Sequence, residues 1–317
     1  MWPPRPTGPR PEIDAFAAPS WAEPPQARGP DVGATRSKVP SADPRKPIAE
    51  HWLDIERVWF DVVAPLLGDR MRLDGWTPDT PVQYCSRCAL GVGRDGLRDD
   101  LCKACRDGET TRPPWQRIIR LGEYAHPLDQ WIREVKFTRW RRLGHDLGRL
   151  LGETLAPELA AARQAGLVPQ EPPLIVPVPM PPLRRLMRGI DHTVAIARGV
   201  AGRLNGRVVQ PLRRDLRPSQ TRVAPSSRAA NVANSIHPRA AWVRPRLDGK
   251  LVIVVDDVTT TGSTLRGACR AVAAVQRAER DRAASAGESP RKPGPIWAAV
   301  LARTAPDSHD FLDPDGV

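Results

Sequence analysis

No apolar run in this chain approaches the ~20 residues that a membrane-spanning helix needs, which excludes a helical membrane span on the sequence. The opening residues, Met1-Trp2-Pro3-Pro4-Arg5, contain no apolar signal core, so a cytoplasmic protein is expected. No Gly-Lys-Ser/Thr follows its threonine- and glycine-rich loop, which excludes a Walker phosphate loop. Cysteine is sparse, with 5 in 317 residues, and in a cytoplasmic chain closely spaced thiols favour metal over disulfides. Lysine is scarcer than arginine, 6 against 42, a bias that a GC-rich genome produces without any functional cause. Acid is nearly missing from one segment: residues 181–246 hold 14 arginines, no lysine, and only Asp191 and Asp215.

That segment therefore carries 14 − 2 = +12, which equals the net charge of the whole chain. Charge concentrated in this way suits polyanions such as pyrophosphate, nucleotides or nucleic acid; a merely solvated basic surface is the competing reading. Hydrophobic residues make up 40% of the chain, enough for a core. Proline is abundant, and 12 of the 36 prolines fall in residues 1–50, so residues 1–49 are expected to form a disordered Pro-rich tail.

The stretch from Leu251 to Leu265 organises the rest. Leu251 to Val255 read as a strand buried on both faces. Asp256 and Asp257 stand where that strand is expected to end. Thr259, Thr260, Thr261, Gly262, Ser263 and Thr264 follow, and then Leu265, Cys269, Val272 and Val275 mark the stripe of an amphipathic helix. A strand, a small-residue loop and a helix N-terminus gather backbone N–H groups on one spot and favour negative charge there. Gly262 permits close backbone approach, and the hydroxyls add donors. The acid pair would repel a phosphate but suits sugar hydroxyls or a divalent cation, so the implied ligand carries both a phosphate and a diol.

Around this centre the chain alternates. Trp52, Ile55, Val58, Trp59, Val62, Val63 and Leu66 predict an amphipathic packing helix over residues 50–67. Cys85-x-x-Cys88 and Cys102-x-x-Cys105 then place two thiolates on each of two tight turns, which together close a tetrahedron for zinc. A redox dithiol pair is the rival, and thiolates also suit iron. With all four positions filled by protein, such a site is structural. A strand over 118–124, helices carrying Leu128 to Val135 and Leu143 to Leu155, a strand at Leu174 to Pro179, a helix N-capped by Asp191, and a strand at Val208-Val209 are expected next. His192, at that helix start, reads as a cap or surface residue. Residues 213–240 are polar, basic and unpatterned, a long loop. A strand about Ala241-Trp242-Val243, a low-complexity insert near 281–295, a last strand from Ile296 to Leu301 and a short acidic tail over 305–317 complete the chain. Cys269, on the apolar stripe, is expected to be a buried structural thiol. Alternating strands and helices imply a parallel sheet whose ligands bind at the carboxyl ends of the strands.

The stretch Val252 to Thr264 resembles the phosphoribosyl-pyrophosphate (PRPP) motif of type I phosphoribosyltransferases. The resemblance implies that Asp256 and Asp257 address ribose hydroxyls and that Thr259 to Thr264 cradle the 5′-phosphate. In order along the chain, the apolar helix, the four cysteines, Lys136, Pro177-Val178-Pro179, Arg184, Arg188-Gly189, Gln220, Arg228, Asn231-Val232 and the PRPP motif resemble the competence-protein F (ComF) family over about residues 52–303. That family's Asn-Gln is Asp191-His192 here, and the stretch between Arg214 and Gln220 is about one residue short.

The resemblance implies an α/β fold: a type I phosphoribosyltransferase-like parallel sheet with flanking helices over 113–304, preceded by a helix and a four-Cys zinc module over 50–112. It implies Mg²⁺ with PRPP, Lys136, Arg184 and Arg188 neutralising pyrophosphate, and Arg214 and Arg228 closing over the site. Three functions follow: phosphoribosyl transfer to an unknown acceptor, handling of incoming single-stranded DNA with the competence machinery, or PRPP sensing without transfer. Transfer through an oxocarbenium-like transition state rests on positioning and electrostatics and needs no nucleophilic side chain.

Overall fold

A computed structural model describes residues 65–92, 96–137, 141–181, 191–215, 235–240, 246–289 and 292–305. Residues 50–64 of the expected first helix lie outside that set, as do Arg184, Arg188, Arg228 and Trp242. The described elements run α1 (Leu67–Leu73), a 3₁₀ turn (Pro81–Gln83), α2 (Lys103–Arg106), β1 (Arg117–Glu123), α3 (Leu128–Phe137), α4 (Arg141–Gln164), β2 (Leu174–Pro177), α5 (His192–Leu204), β3 (Arg207–Val208), β4 (Leu212–Arg214), β5 (Ile236–Pro238), β6 (Val252–Thr259), α6 (Ser263–Ser285) and β7 (Ile296–Arg303). Among these residues no helix is long and apolar enough to cross a membrane.

Five strands form one sheet in the order β1-β7-β6-β2-β3, and every neighbouring pair is parallel. The fold class is therefore the α/β parallel sheet with flanking helices that the alternating pattern predicts. In β6 the apolar run divides by the period of a strand. Ile253 and Val255 join Ile175, Ile119 and Trp297 in a core under α3, α4 and α5. Val252 and Val254 join Val176, Ala298 and Val300 in a second core under α6, where Leu265, Ala268, Cys269, Val272 and Val275 pack. Cys269 is fully buried, as read.

Helices α4 and α5 touch backbone to backbone. A β-carbon at Gly148 would strike the Ile196 carbonyl, and one at Gly199 would strike the His145 carbonyl. Asn205 ends α5 in the left-handed conformation.

From β2 the chain passes through α5 outward to β3, and from β6 it passes through α6 the opposite way to β7. The connections reverse between β2 and β6, which opens a crevice at the carboxyl ends of those two strands. One strand end and one helix end differ from expectation. β6 extends to Thr259, so Asp256 and Asp257 lie within the strand, continued by pairing of Asp256 with Val300 and Val258 with Ala302. α6 runs on to Ser285, into the stretch read as a low-complexity insert. The ends of the long basic loop are also ordered: β4 and β5 pair antiparallel, Leu212 opposite Pro238, and bury Leu212 and Ile236 with α6.

The cysteine-bearing segment lies along β1, at one margin of the sheet. The Ile118 N–H donates to Ser86 O at 2.8 Å, and the Asp79 N–H donates to Leu121 O at 2.6 Å. Arg120, only 2% exposed, donates to Ala89 O at 2.9 Å, pairs with Asp79 at 2.6 Å, and lies over the Tyr84 ring. At the other margin β3 is two residues long.

Candidate functional site

Asp256 and Asp257 lie at the carboxyl end of β6, beside the crevice, each 8% exposed. Asp257 Oδ2 receives Lys136 Nζ at 3.1 Å and His192 Nε2 at 2.8 Å. Its other oxygen accepts the Val258 N–H at 2.6 Å, and Asp256 Oδ1 accepts the Asp257 N–H at 3.0 Å. Three elements converge to make this cluster. Lys136 lies in the last turn of α3, anchored by the buried Leu128, Trp131, Ile132 and Val135. His192 opens α5, whose Asp191 cap accepts the Val194 N–H. Thr193 fixes that entry by donating to Val178 O at 3.0 Å, just beyond β2.

The two carboxyls are electrically unequal. Burial, then the charge of Asp257, pushes the Asp256 carboxyl up to about 7, with Lys136 and Arg214 pulling the other way. Burial would also raise Asp257, but Lys136 and His192 outweigh it and hold that carboxyl well below the usual range. Arg214, on β4, donates to Ser235 Oγ at 3.2 Å, so the hairpin carries a guanidinium within electrostatic range of the pair.

The threonine–glycine loop follows directly. Thr259 is buried; Thr260, Gly262, Ser263 and Thr264 are half-buried, and Thr261 is exposed. Gly262 takes φ +74° and caps α6, a conformation that favours glycine. Thr261 Oγ1 donates to Ser263 Oγ at 3.2 Å. Thr259 O accepts from the Thr304 N–H at 3.1 Å and from Arg303 Nη1 at 3.2 Å. The first turn of α6 supplies N–H groups at the same rim as the acid pair.

Lys136, Asp256, Asp257 and the loop from Thr259 to Thr264 thus share the carboxyl edge of β6. Arg184, Arg188 and Arg228 lie outside the described residues. His192 corrects the sequence reading: it is buried and bonded to Asp257 rather than a surface or capping residue. The signal was available, because the helix after β2 in a parallel sheet must start at the rim where β6 delivers its acids.

Beside this rim the four cysteines Cys85, Cys88, Cys102 and Cys105 bring their sulfurs within 4.8 Å of one another. The donors fit a tetrahedral thiolate centre able to hold a metal ion such as zinc. The Cys85 thiol is pulled down to about 4, first by its hydrogen bond with Cys88, against burial and with help from the backbone N–H groups of Cys102, Arg87 and Cys88. The Cys88 thiol is pushed up by that same bond and by burial. Thiols must lose their protons to bind a cation, so metal uptake at this cluster is coupled to proton release. Outside the thiols, Arg87 donates to Cys105 O at 2.6 Å and Thr110 to Cys105 Sγ at 3.4 Å.

The module and the loop are joined. Trp115 Nε1 donates to Arg87 O at 2.9 Å. Arg266, in the first turn of α6, lies over the Trp115 ring and donates to Thr111 O at 2.9 Å.

No protein-family model matches the chain. The DNA utilization protein YhgH of Escherichia coli O6:H1 is 31% identical over 188 residues, covering 59% of this chain and 76% of that protein. Competence protein F of Haemophilus influenzae is 27% identical over 188 residues, covering 57% of this chain and 75% of that protein. A crystal structure of TT1426 from Thermus thermophilus matches at 20% identity with a TM-score of 0.25, over 54% of this chain and 86% of that one. A relative 31% identical across three quarters of its own length takes this beyond resemblance: the chain belongs to the competence-protein F (ComF) family.

Proposed function

We propose that this protein serves DNA utilisation, binding single-stranded DNA in natural competence. The observation that carries this reading is its similarity to relatives named for DNA utilisation and for competence. The excess of arginine in residues 181–246 supports it, since guanidinium groups contact phosphates without regard to sequence. The four-Cys module holds structural zinc in this reading and stiffens the chain beside the sheet.

The acid pair favours a second reading for the crevice itself. Asp257, buried against Lys136 and His192 beside a glycine-capped loop, suits a ribose 5-phosphate ligand such as PRPP with Mg²⁺. Asp256 and Asp257 would take the diol, Thr259 to Thr264 the 5′-phosphate, and Lys136, Arg184 and Arg188 the pyrophosphate, with Arg214 and Arg228 closing over the site. Transfer to an acceptor base is an extension of this second reading.

One comparison separates the two. A labelled oligothymidylate and PRPP with Mg²⁺ are titrated in parallel into the wild type and into Asp256→Asn/Asp257→Asn. Oligonucleotide binding that weakens steeply with salt and survives the double substitution is the result expected for DNA handling. Absent or salt-insensitive binding would overturn it. PRPP binding that vanishes in the double variant is expected for the crevice, and absence of PRPP binding to the wild type would remove the second reading.

A further inference from the structure

Between the cysteine module and the start of α6 lies a cleft of about 300 Å³, lined by Arg87, Arg112, Pro113, Pro114, Trp115 and Gln116. Its volume is at the lower end of that of small-ligand sites. None of the six lining residues is acidic, and two are arginines. Arg112 and Gln116 are exposed, so a guanidinium and an amide are free to meet a ligand at the mouth. Pro113 and Trp115 are buried and make rigid walls.

The walls are held on both sides. Trp115 is tied to the module through Arg87 O and covered on its ring by Arg266. The far edge of its ring would lie 3.7 Å from a β-carbon at Gly262. The cleft and the threonine–glycine loop are therefore neighbours across one indole. Burial, and then the neighbouring Arg270, lowers the pKa of Arg266.

We propose that this cleft is a nucleotide subsite, taking one phosphate and its attached base from a single strand, with Arg112 on the phosphate and Gln116 on the base edge. The proposal rests on the DNA reading given above and adds the place of contact. A proline-walled slot with one guanidinium and one amide accepts any base, because an amide offers both a donor and an acceptor. The strand would run from the cleft past Trp115 toward the loop.

The test uses the full-length protein and a 12-residue oligothymidylate carrying one 4-thiothymidine. After photocrosslinking and trypsin digestion, the adduct is expected in the peptide from Asp107 to Arg117, since Arg112 is followed by proline and resists cleavage. Arg112→Glu is expected to weaken oligonucleotide binding about tenfold and to lower the salt dependence by about one phosphate contact. Binding with adducts only elsewhere, or unchanged affinity in Arg112→Glu, overturns the cleft and leaves DNA handling intact. No oligonucleotide binding by the wild type overturns both. Circular dichroism and metal content of Arg112→Glu matching the wild type tie its effect to contact rather than to folding.

Discussion

Asp256 and Asp257 are adjacent in sequence, similarly buried, and opposite in behaviour. A carboxyl raised to about 7 in the native state, against about 3.9 when unfolded, keeps a proton that the unfolded chain releases. Between those pH values stability therefore falls as pH rises. Asp257 runs the other way: its pairing with Lys136 and His192 stabilises the fold above about pH 3.9 and is lost as pH falls toward its depressed value. The melting temperature should thus decline from pH 5 to pH 8. Asp256→Asn should flatten that decline and gain about 1–3 kcal/mol at pH 8, because it removes a buried charge while keeping the oxygen that faces the Asp257 N–H. Thermal melts at matched ionic strength check this; a variant with the wild-type slope would place the titration elsewhere. The two acids were legible because paired carboxylates after an apolar run have few structural uses. His192 was legible only through topology: its partner lies 65 positions away in sequence, and the parallel pairing of β2 with β6 brings them together.

At the scale of elements, the contact that fixes the rim is the one between α4 and α5. Its closeness depends on Gly148 and Gly199, where a β-carbon would meet backbone rather than a side chain that could turn aside. Gly148→Ala should cost about 3 kcal/mol, seen as a lower urea midpoint. Gly202→Ala, on the same α5 but with open space around it, should be neutral or stabilising by up to about 1 kcal/mol. Equal effects at both positions would mean that the interface yields. Because α5 carries His192 at its first turn, splaying the pair should also loosen the bond to Asp257. The leucine stripe of α4 announced a helix, but the glycines at 144, 148 and 152, four apart along the same helix, announced how near its neighbour would come. Spacing reveals which face is buried; the identity of the small residues reveals the distance. The ends of the basic loop gave no period, as strands of three residues are too short to show one.

On the scale of the whole molecule, a parallel sheet leaves two open margins. One is the two-residue β3, too short to template another strand. The other, β1, is covered by the segment that carries the four thiols, through the bonds of Ser86 and Asp79 and the buried Arg120. The cysteine spacing made the four-thiol cluster legible in the sequence, whereas its position beside β1 depends on long-range pairing that no local pattern encodes. Purified protein should contain about one zinc per chain, and Cys85→Ser should lose it. Metal analysis reads the first outcome, and metal-free, stably folded wild type would refute the assignment. The covered margin then makes the thiol centre a guard against polymerisation. Stripped of its ion, the chain should unmask β1 and self-associate edge to edge, so chelation should register as concentration-dependent light scattering before any loss of helix.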